Sequence, residues 1–486
     1  MATILKQFSK EIIPFAYKLA DKQKFVNIKT KDGKHNVWQT KSFNTNHLFE
    51  YINQKQDVNS DQCIVTALSL NDGARTYFDL PGANSTVMLN VRGNQSSKQL
   101  AIKLKGVSLY LFETNVAFLE LDWEYVDTNA TDYLNANYFL AELKSKQNTL
   151  QIRTGKDEYR ELTLSDAIEP MLTMFDGVYG FDKHEQVSFY DLKPLLFSMV
   201  LLDKRDSDFD DILSHGAYNF KQSYQTDAAK PCSPFTNSHW CGSDAAMINV
   251  SYLVDDDKTN DFFFTQFVNA ARNNYFYLYL LTLNQKFTLL KRISQVAKVN
   301  AKYSELNEER LQADAQRVAD TIGKSQLYET RCNFKCPSSM QHINTFYDYA
   351  RSTLNVDIFE KELHAKLSSL SQIQSTYAKH LANYKDYRHT KMMFWVFLIT
   401  QLIGSVTMFN SSCKIISDLG GFKVWDRLEF LCIPILLTAM FMAGIGIQIV
   451  IKCREMNKLK AMLNKQKKAK ITPQNEENKS EHSEEM

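Results

Sequence analysis

Two long apolar segments lie close together toward the C-terminal end of the chain, and they restrict its architecture more than any other feature. The first is Met392 to Asn410 (MMFWVFLITQLIGSVTMFN) and the second is Phe430 to Ile451 (FLCIPILLTAMFMAGIGIQIVI). Neither contains Asp, Glu, Lys or Arg. Each is close to the roughly 20 residues a helix needs to cross the hydrocarbon core of a bilayer. A buried helix of this length in a soluble protein shows a polar stripe, and neither segment has one. Both are therefore predicted to be transmembrane helices joined by a short loop.

The flanking charges orient this pair. Lys379, Lys385, Arg388 and Lys391 precede the first segment, and Lys452, Arg454, Lys458, Lys460, Lys465, Lys467, Lys468 and Lys470 follow the second. The connecting stretch, Ser411 to Glu429, balances Lys414, Lys423 and Arg427 with Asp418, Asp426 and Glu429. Basic flanks stay inside, so the expectation is a multi-pass protein of the cell membrane with both termini cytosolic. The start (MATILKQFSKEIIPFAYKLADKQKF) lacks a secretory pattern, so insertion is expected to depend on the C-terminal segments. Elsewhere the composition is that of a soluble protein. Mean hydropathy is −0.35 and formal net charge is +2. No direct binding of nucleic acid is expected from such a charge balance.

The fold class expected is an α+β cytosolic domain, then a long helical stalk, then two C-terminal transmembrane helices. Residues 1–255 form the first part. Positions up to about 60 are polar with weak helical signals. Residues 63–70 and 85–93 read as strands, as does 100–125, which breaks at Lys105-Gly106 and turns at Glu113-Thr114-Asn115. A helix is expected over Thr131–Lys144 and a strand over Leu195–Leu202. Asn219 to Ala246 reads as a loop, with Phe235, His239 and Trp240 either anchoring it or contacting a ligand. Residues 256–390 are helical. YFYLYLLTL (275–283) is predicted to be a buried aromatic helix. Gln285 to Gly323 reads as one long charged helix with an apolar stripe of Leu311, Ala315, Val318 and Ile322. Arg331 to Met340 is the turn of a helical hairpin. The returning helix carries a heptad seam of Leu363, Leu367, Leu370, Gln374, Tyr377, Leu381, Tyr384 and Arg388. No Pro or Gly interrupts it before the first apolar segment. Residues 391–452 are the two-helix membrane domain. The tail, 453–486, is basic, suited to anionic headgroups, and then acidic and polar.

Motifs for catalysis are lacking: the sequence has no phosphate loop, no nucleophile elbow and no His-Glu metal motif. Cys332 and Cys336 (CNFKC), with Cys232, His239 and Cys241 (CSPFTNSHWC), are metal-ligating residue types, but their spacing matches no zinc module. Reduced thiols are the better reading. The acidic runs Asp206, Asp208, Asp210, Asp211 and Asp255 to Asp257 offer hard oxygen ligands, yet lack the Gly and terminal Glu of a calcium loop. Solvated charge explains them.

The order of a cytosolic α/β domain, a long helix running into the first span, a short outer loop, a second span and a basic end resembles the CorA-type magnesium transporter family. The resemblance implies a homo-oligomer, a pentamer in that family, whose first span lines a pore. It also implies a divalent cation, magnesium, as permeant or regulator. The family closes its first span with Gly-Met-Asn. Here the place reads Thr407-Met408-Phe409-Asn410, so Asn410 alone matches. The altered motif and large cytosolic region also resemble CorA-like membrane effectors of type III CRISPR systems, which respond to a small nucleotide ligand in phage defence.

The first span carries Thr400, Gln401, Ser405 and Asn410. Polar groups in a span face a partner helix or a water-filled path. As interhelical contacts they tie helices together. As a pore, Asn410 sits at the outer mouth, Gln401 and Ser405 lie below it, Met408 shares their side, and Phe397 forms an apolar constriction. Three readings follow: a gated channel or transporter, a ligand-triggered membrane effector, and a membrane-anchored scaffold or enzyme whose hairpin is only an anchor.

Overall fold

The computed structural model describes most of residues 2–418. Outside it lie mainly 19–27, 56–62, 93–96, 143–147, 154–158, 170–192, 220–229 and 299–307, and beyond 418 only scattered positions are described. The chain divides into two compact units, residues 1–299 with 321–368, and residues 300–320 with 369–486.

The first unit is α+β. A twelve-stranded sheet runs in the order β10-β11-β12-β9-β1-β6-β5-β4-β7-β8, with β3 on β5 and β2 on β3. Its strands are β1 (Ile4–Ala16), β2 (Trp38–Thr40), β3 (Val65–Leu70), β4 (Thr86–Arg92), β5 (Ser97–Phe112), β6 (Val116–Tyr125), β7 (Asn148–Arg153), β8 (Tyr159–Thr163), β9 (Leu195–Leu202), β10 (Cys232–Phe235), β11 (Ser238–Gly242) and β12 (Ala246–Tyr252). Every pairing is antiparallel except that of β12 with β9.

β1 is at the centre, between β6 and β9, where helical signals were expected. Its Pro14 pairs only with β6, because pairing to β9 stops at Ile12. A residue without an N–H fits a strand where one edge is unpaired. The β5–β6 hairpin turns at Glu113-Thr114-Asn115 as expected, with Asn115 at φ 64°; Asn tolerates this left-handed conformation better than most residues. The break expected at Lys105-Gly106 is instead a register shift between Leu104 and Gly106 inside one continuous strand. Half of the described part of the stretch expected as a loop from Asn219 to Ala246 forms β10 and β11. Trp240 of β11 is fully buried.

Register divides the side chains between two faces. Odd residues of β1 and β6, such as Ile13, Leu119 and Trp123, join a core with α3 (Ala130–Ala141) and α4 (Phe209–Tyr218), which follow α1 (Glu50–Asn53) and α2 (Asp72–Tyr77) in the chain. Even residues meet the long helix α5 (Phe276–Lys298), which is entered through π-helical turns at Phe262–Phe267 and Ala271–Tyr275. Phe197 of β9 packs on Phe276 and Tyr279 at 5.3 and 5.2 Å. Residues 276–281 and 283 are buried, as the apolar aromatic run requires.

Of the single helix expected over 285–323, both described parts are helical, in α5 and in α6 (Glu308–Cys332), and 299–307 lie outside the described residues. Of its expected stripe, Val318 is buried and Ile322 half-buried; the side chains of Leu311 and Ala315 lie outside the description. α7 (Gln341–Thr353) and α8 (Val356–Asp418) follow, separated by Asn355 at φ 56°. Arg351, on the last turn of α7, bonds Gln285 of α5 at 2.7 Å and pairs with Asp357 and Glu360 of α8 at 2.6 and 3.0 Å. This guanidinium ties the base of α8 to the sheet-covering helix.

α8 runs 63 residues, roughly 95 Å at 1.5 Å per residue. In the first unit its seam residue Leu363 is buried and Leu367 half-buried. In the second unit Leu370 is buried, Leu381 is half-buried and Arg388 is exposed. The seam side chains of Gln374, Tyr377 and Tyr384 lie outside the description. The helix continues through Asp418, so the first eight residues of the expected outer loop are helical.

Candidate functional site

α8 contains the one described helix long and apolar enough to cross a membrane, Leu381–Met408, with mean hydropathy 1.4. The second apolar segment falls almost wholly outside the described residues. Its few described positions, among them Gly444, Gly446 and Ile447, are helical and exposed.

Two faces of α8 differ. Met392, Met393, Trp395, Val396, Ile399, Leu402, Ile403 and Val406 are each more than half exposed. Phe394, Phe397, Leu398, Gln401, Gly404, Ser405 and Met408 form a half-buried stripe at steps of three and four. Four of the five candidate pore residues, Phe397, Gln401, Ser405 and Met408, share this stripe. Asn410 lies off it and is exposed. The hydroxyls are satisfied locally: Thr400 donates to the Val396 carbonyl, Ser405 to Leu402 and Thr407 to Ile403, each at 2.8 Å. Such back-bonding removes the need for water. Gln401 differs, because its two-ended amide cannot be satisfied fully by the backbone of its own helix.

A second assembly is the buried charge lattice on the α5 face of the sheet. Lys10 of β1 pairs with Glu120 of β6, both almost fully buried. Tyr110 of β5 donates to the same carboxylate. Lys41 reaches Glu120 at 3.2 Å, and Ser108 and Tyr110 at 2.9 Å each. Asp122 joins through Lys10 at 3.7 Å and Arg272 at 3.2 Å. Lys10 also lies 4.2 Å over the Phe276 ring. Burial alone would raise the Glu120 carboxyl, but Lys10 and Lys41 with the hydrogen bonds from Lys10 and Tyr110 hold it below the usual range. On the opposite face, no described cation pairs with Glu11. Burial pushes it up to about 8 despite a bond from Trp123 Nε1 at 3.2 Å. Two carboxyls on neighbouring strands are thus in opposite states: Glu120 is ionised and locks the strands, and Glu11 is neutral at physiological pH. Reading the sequence missed this lattice; Glu120 and Asp122 alternate with Leu119 and Leu121, a pattern that also describes a solvent-facing edge.

The remaining candidates do not assemble. Among the described residues no three His, Cys, Asp or Glu side chains form a metal-binding group. Cys63, Cys232, Cys241 and Cys332 are buried thiols outside any disulfide, and Cys336 is exposed. Burial pushes the Cys232 thiol up to about 11 and that of Cys332 to about 12, which removes thiolate reactivity. His239 Nδ1 lies 2.6 Å from Ser233 Oγ, and its ring packs on Phe209 and Tyr252. No described carboxylate hydrogen-bonds the ring, so a catalytic triad is incomplete there. Asp256 caps a helical turn through Thr259, and Asp210 pairs loosely with Arg205 at 3.9 Å. No protein-family model, no curated protein and no solved structure matches this chain.

Proposed function

We propose that this chain is an oligomeric membrane channel or transporter of CorA-like build, with α8 crossing the bilayer and the sheet domain governing the pore. The observation that carries the reading is the exposed, largely apolar and uncharged face of α8. Eight large apolar side chains in a row stand more than half exposed. In water such a surface is unfavourable by about 25 cal/mol per Å², and contiguous patches of this kind mark membrane or partner surfaces. Hydroxyls bonded to their own helix and an absence of charge from Met392 to Asn410 fit hydrocarbon surroundings. The Gln401 face is then the one that meets neighbouring subunits or a conducting path. A divalent cation is the permeant to test first, and self-association and lipids are the expected partners. The reading of a membrane-anchored scaffold is favoured by one fact, that Gln401 and Ser405 are already half-covered within a single chain.

The test is reconstitution of the full chain in liposomes with flux of magnesium and of monovalent ions, alongside oligomer size in detergent. The expected result is a membrane-integral oligomer whose flux is lost in Gln401→Leu without loss of insertion. Release from membranes by alkaline carbonate would defeat both readings. A strict monomer would defeat the pore and leave the scaffold.

A further inference from the structure

The exposed face of α8 does not stop where the charge-free segment begins. Steps of three and four from Lys385 pass through His389, Met392, Val396, Ile399 and Ile403, and each of these side chains is exposed. Lys391 and Trp395 stand one turn apart beside this line and are exposed as well, Trp395 at 56%. The opposite side is also continuous: Tyr387, Thr390, Phe394, Phe397 and Gln401 are half-buried. One face of a single helix therefore passes from basic to aromatic to apolar within about five turns.

Charge differs between the two ends of the apolar segment. From Lys379 to Lys391 the sequence holds Lys379, Lys385, Arg388 and Lys391 against one carboxylate, Asp386. From Ser411 to Asp418 it holds Lys414 against Asp418. The spacing at the basic end matches the layers of a bilayer. At 1.5 Å per residue, Lys385 precedes Met392 by roughly 10 Å and Lys391 by roughly 1.5 Å along the helix axis. The headgroup layer on one side of a bilayer is roughly 5–8 Å deep. Ammonium groups on long flexible stems can adjust their height within it. Trp395, one turn beyond Lys391, falls at the level where indole rings collect.

We propose that this face of α8 is a docking surface for anionic phospholipid headgroups, with Lys385 and Lys391 meeting the phosphates and Trp395 setting the depth. The inference rests on the reading that α8 crosses the bilayer and deepens it by naming the lipid class. Lysine ammonium groups are hydrated point charges with rotatable donors, which fits a layer of mobile phosphates better than one fixed anion. Acidic lipids give the leaflet a negative surface potential that attracts such groups, and zwitterionic lipids do not.

The experiment titrates the full chain, in neutral detergent micelles, with phosphatidylglycerol or with phosphatidylcholine and reads the melting temperature. A ligand that binds the folded state raises it in a saturable way. Phosphatidylglycerol is expected to do so and phosphatidylcholine is not. Each Lys should contribute about fivefold in apparent affinity, so Lys385→Gln combined with Lys391→Gln should weaken the response about twentyfold or more. Both positions are exposed, so this double variant is expected to fold. Arg at both positions should preserve the response, and raised salt should weaken it. Lys465→Gln combined with Lys467→Gln, in the basic tail, should leave most of it in place. Carbonate-resistant association with pure phosphatidylcholine vesicles is measured in parallel. If that association holds and phosphatidylglycerol has no effect beyond phosphatidylcholine, the headgroup surface is overturned and the membrane reading stands. If the association itself is absent, both fall. A phosphatidylglycerol response that the Lys385 and Lys391 double variant keeps undiminished also overturns the proposal.

Discussion

Replacing Glu11 by Gln is expected to stabilise the protein by an amount that grows with pH. Glu11 sits on the central strand with one carboxyl oxygen bonded by Trp123 Nε1 at 3.2 Å and the other buried without a partner. The same face of the sheet carries Trp123 and the phenol of Tyr133, to which Ser9 donates at 2.8 Å. Tyr133 is itself raised by burial, so it stays uncharged through the neutral range. The Glu11 carboxyl therefore titrates near 8 when folded, against 4.5 as the ordinary value. The folded pKa lies above the unfolded one. Its contribution to stability is thus fully present below about 4.5 and is lost as pH rises toward 8. At 1.36 kcal/mol per unit, the penalty is about 3.4 kcal/mol near pH 7, from 7 minus 4.5. It levels off at about 4.8 kcal/mol well above 8, from 8 minus 4.5. Gln removes the titration, keeps an oxygen for Trp123, and leaves an amide N–H unpartnered at a cost of about 1 kcal/mol. Net stabilisation is then about 2 kcal/mol near pH 7, and it vanishes or reverses near pH 5. Urea unfolding of the full chain in detergent, wild type beside Glu11→Gln at several pH values, measures it. A difference that stays constant from about pH 5 to 8.5 would refute the reasoning, as it would show that Glu11 keeps one protonation state throughout.

Further substitutions probe the frame that supports α8. Arg351→Ala leaves the Gln285 oxygen and the mostly buried Glu360 carboxylate without their shared donor, and should destabilise by about 3–5 kcal/mol in the same assay. Arg351→Lys keeps the charge but loses the forked geometry, so a smaller loss of about 1–2 kcal/mol is expected. Gly216→Ala on α4 would drive a Cβ into the buried Ile248 side chain, with an expected loss of about 1–3 kcal/mol read as a lowered melting temperature.

Parts of the fold are legible because the signal is local. VSLYLF and VAFLELDWEY (107–112 and 116–125) alternate around an Asn-bearing turn, and they pair as β5 and β6. The run from Tyr275 to Leu283 is apolar all round, and it is buried all round. β1 is illegible for a physical reason. Its polar residues lie on both faces, Gln7, Ser9 and Glu11 toward α3 and Lys10 toward α5, so no period of two survives. Each is paid for by a partner far away in sequence, the Tyr125 carbonyl, Tyr133, Trp123 or Glu120. β10 and β11 are hidden differently. Ser, Pro, Thr and Asn are turn formers, and here tertiary pairing to β12 overrides them, as β propensity is set largely by neighbours.

The same division holds for the candidate sites. The stripe of Phe397, Gln401, Ser405 and Met408 is visible from sequence because helical spacing alone puts these residues on one side, and the structure half-buries that side. The buried charge lattice draws on positions 10, 41, 110, 120 and 272, and no window of the sequence holds them together. Charges gathered over such distances are expensive to bury unless something offsets them. A lattice such as Lys10, Glu120, Lys41 and Asp122 is offset from within.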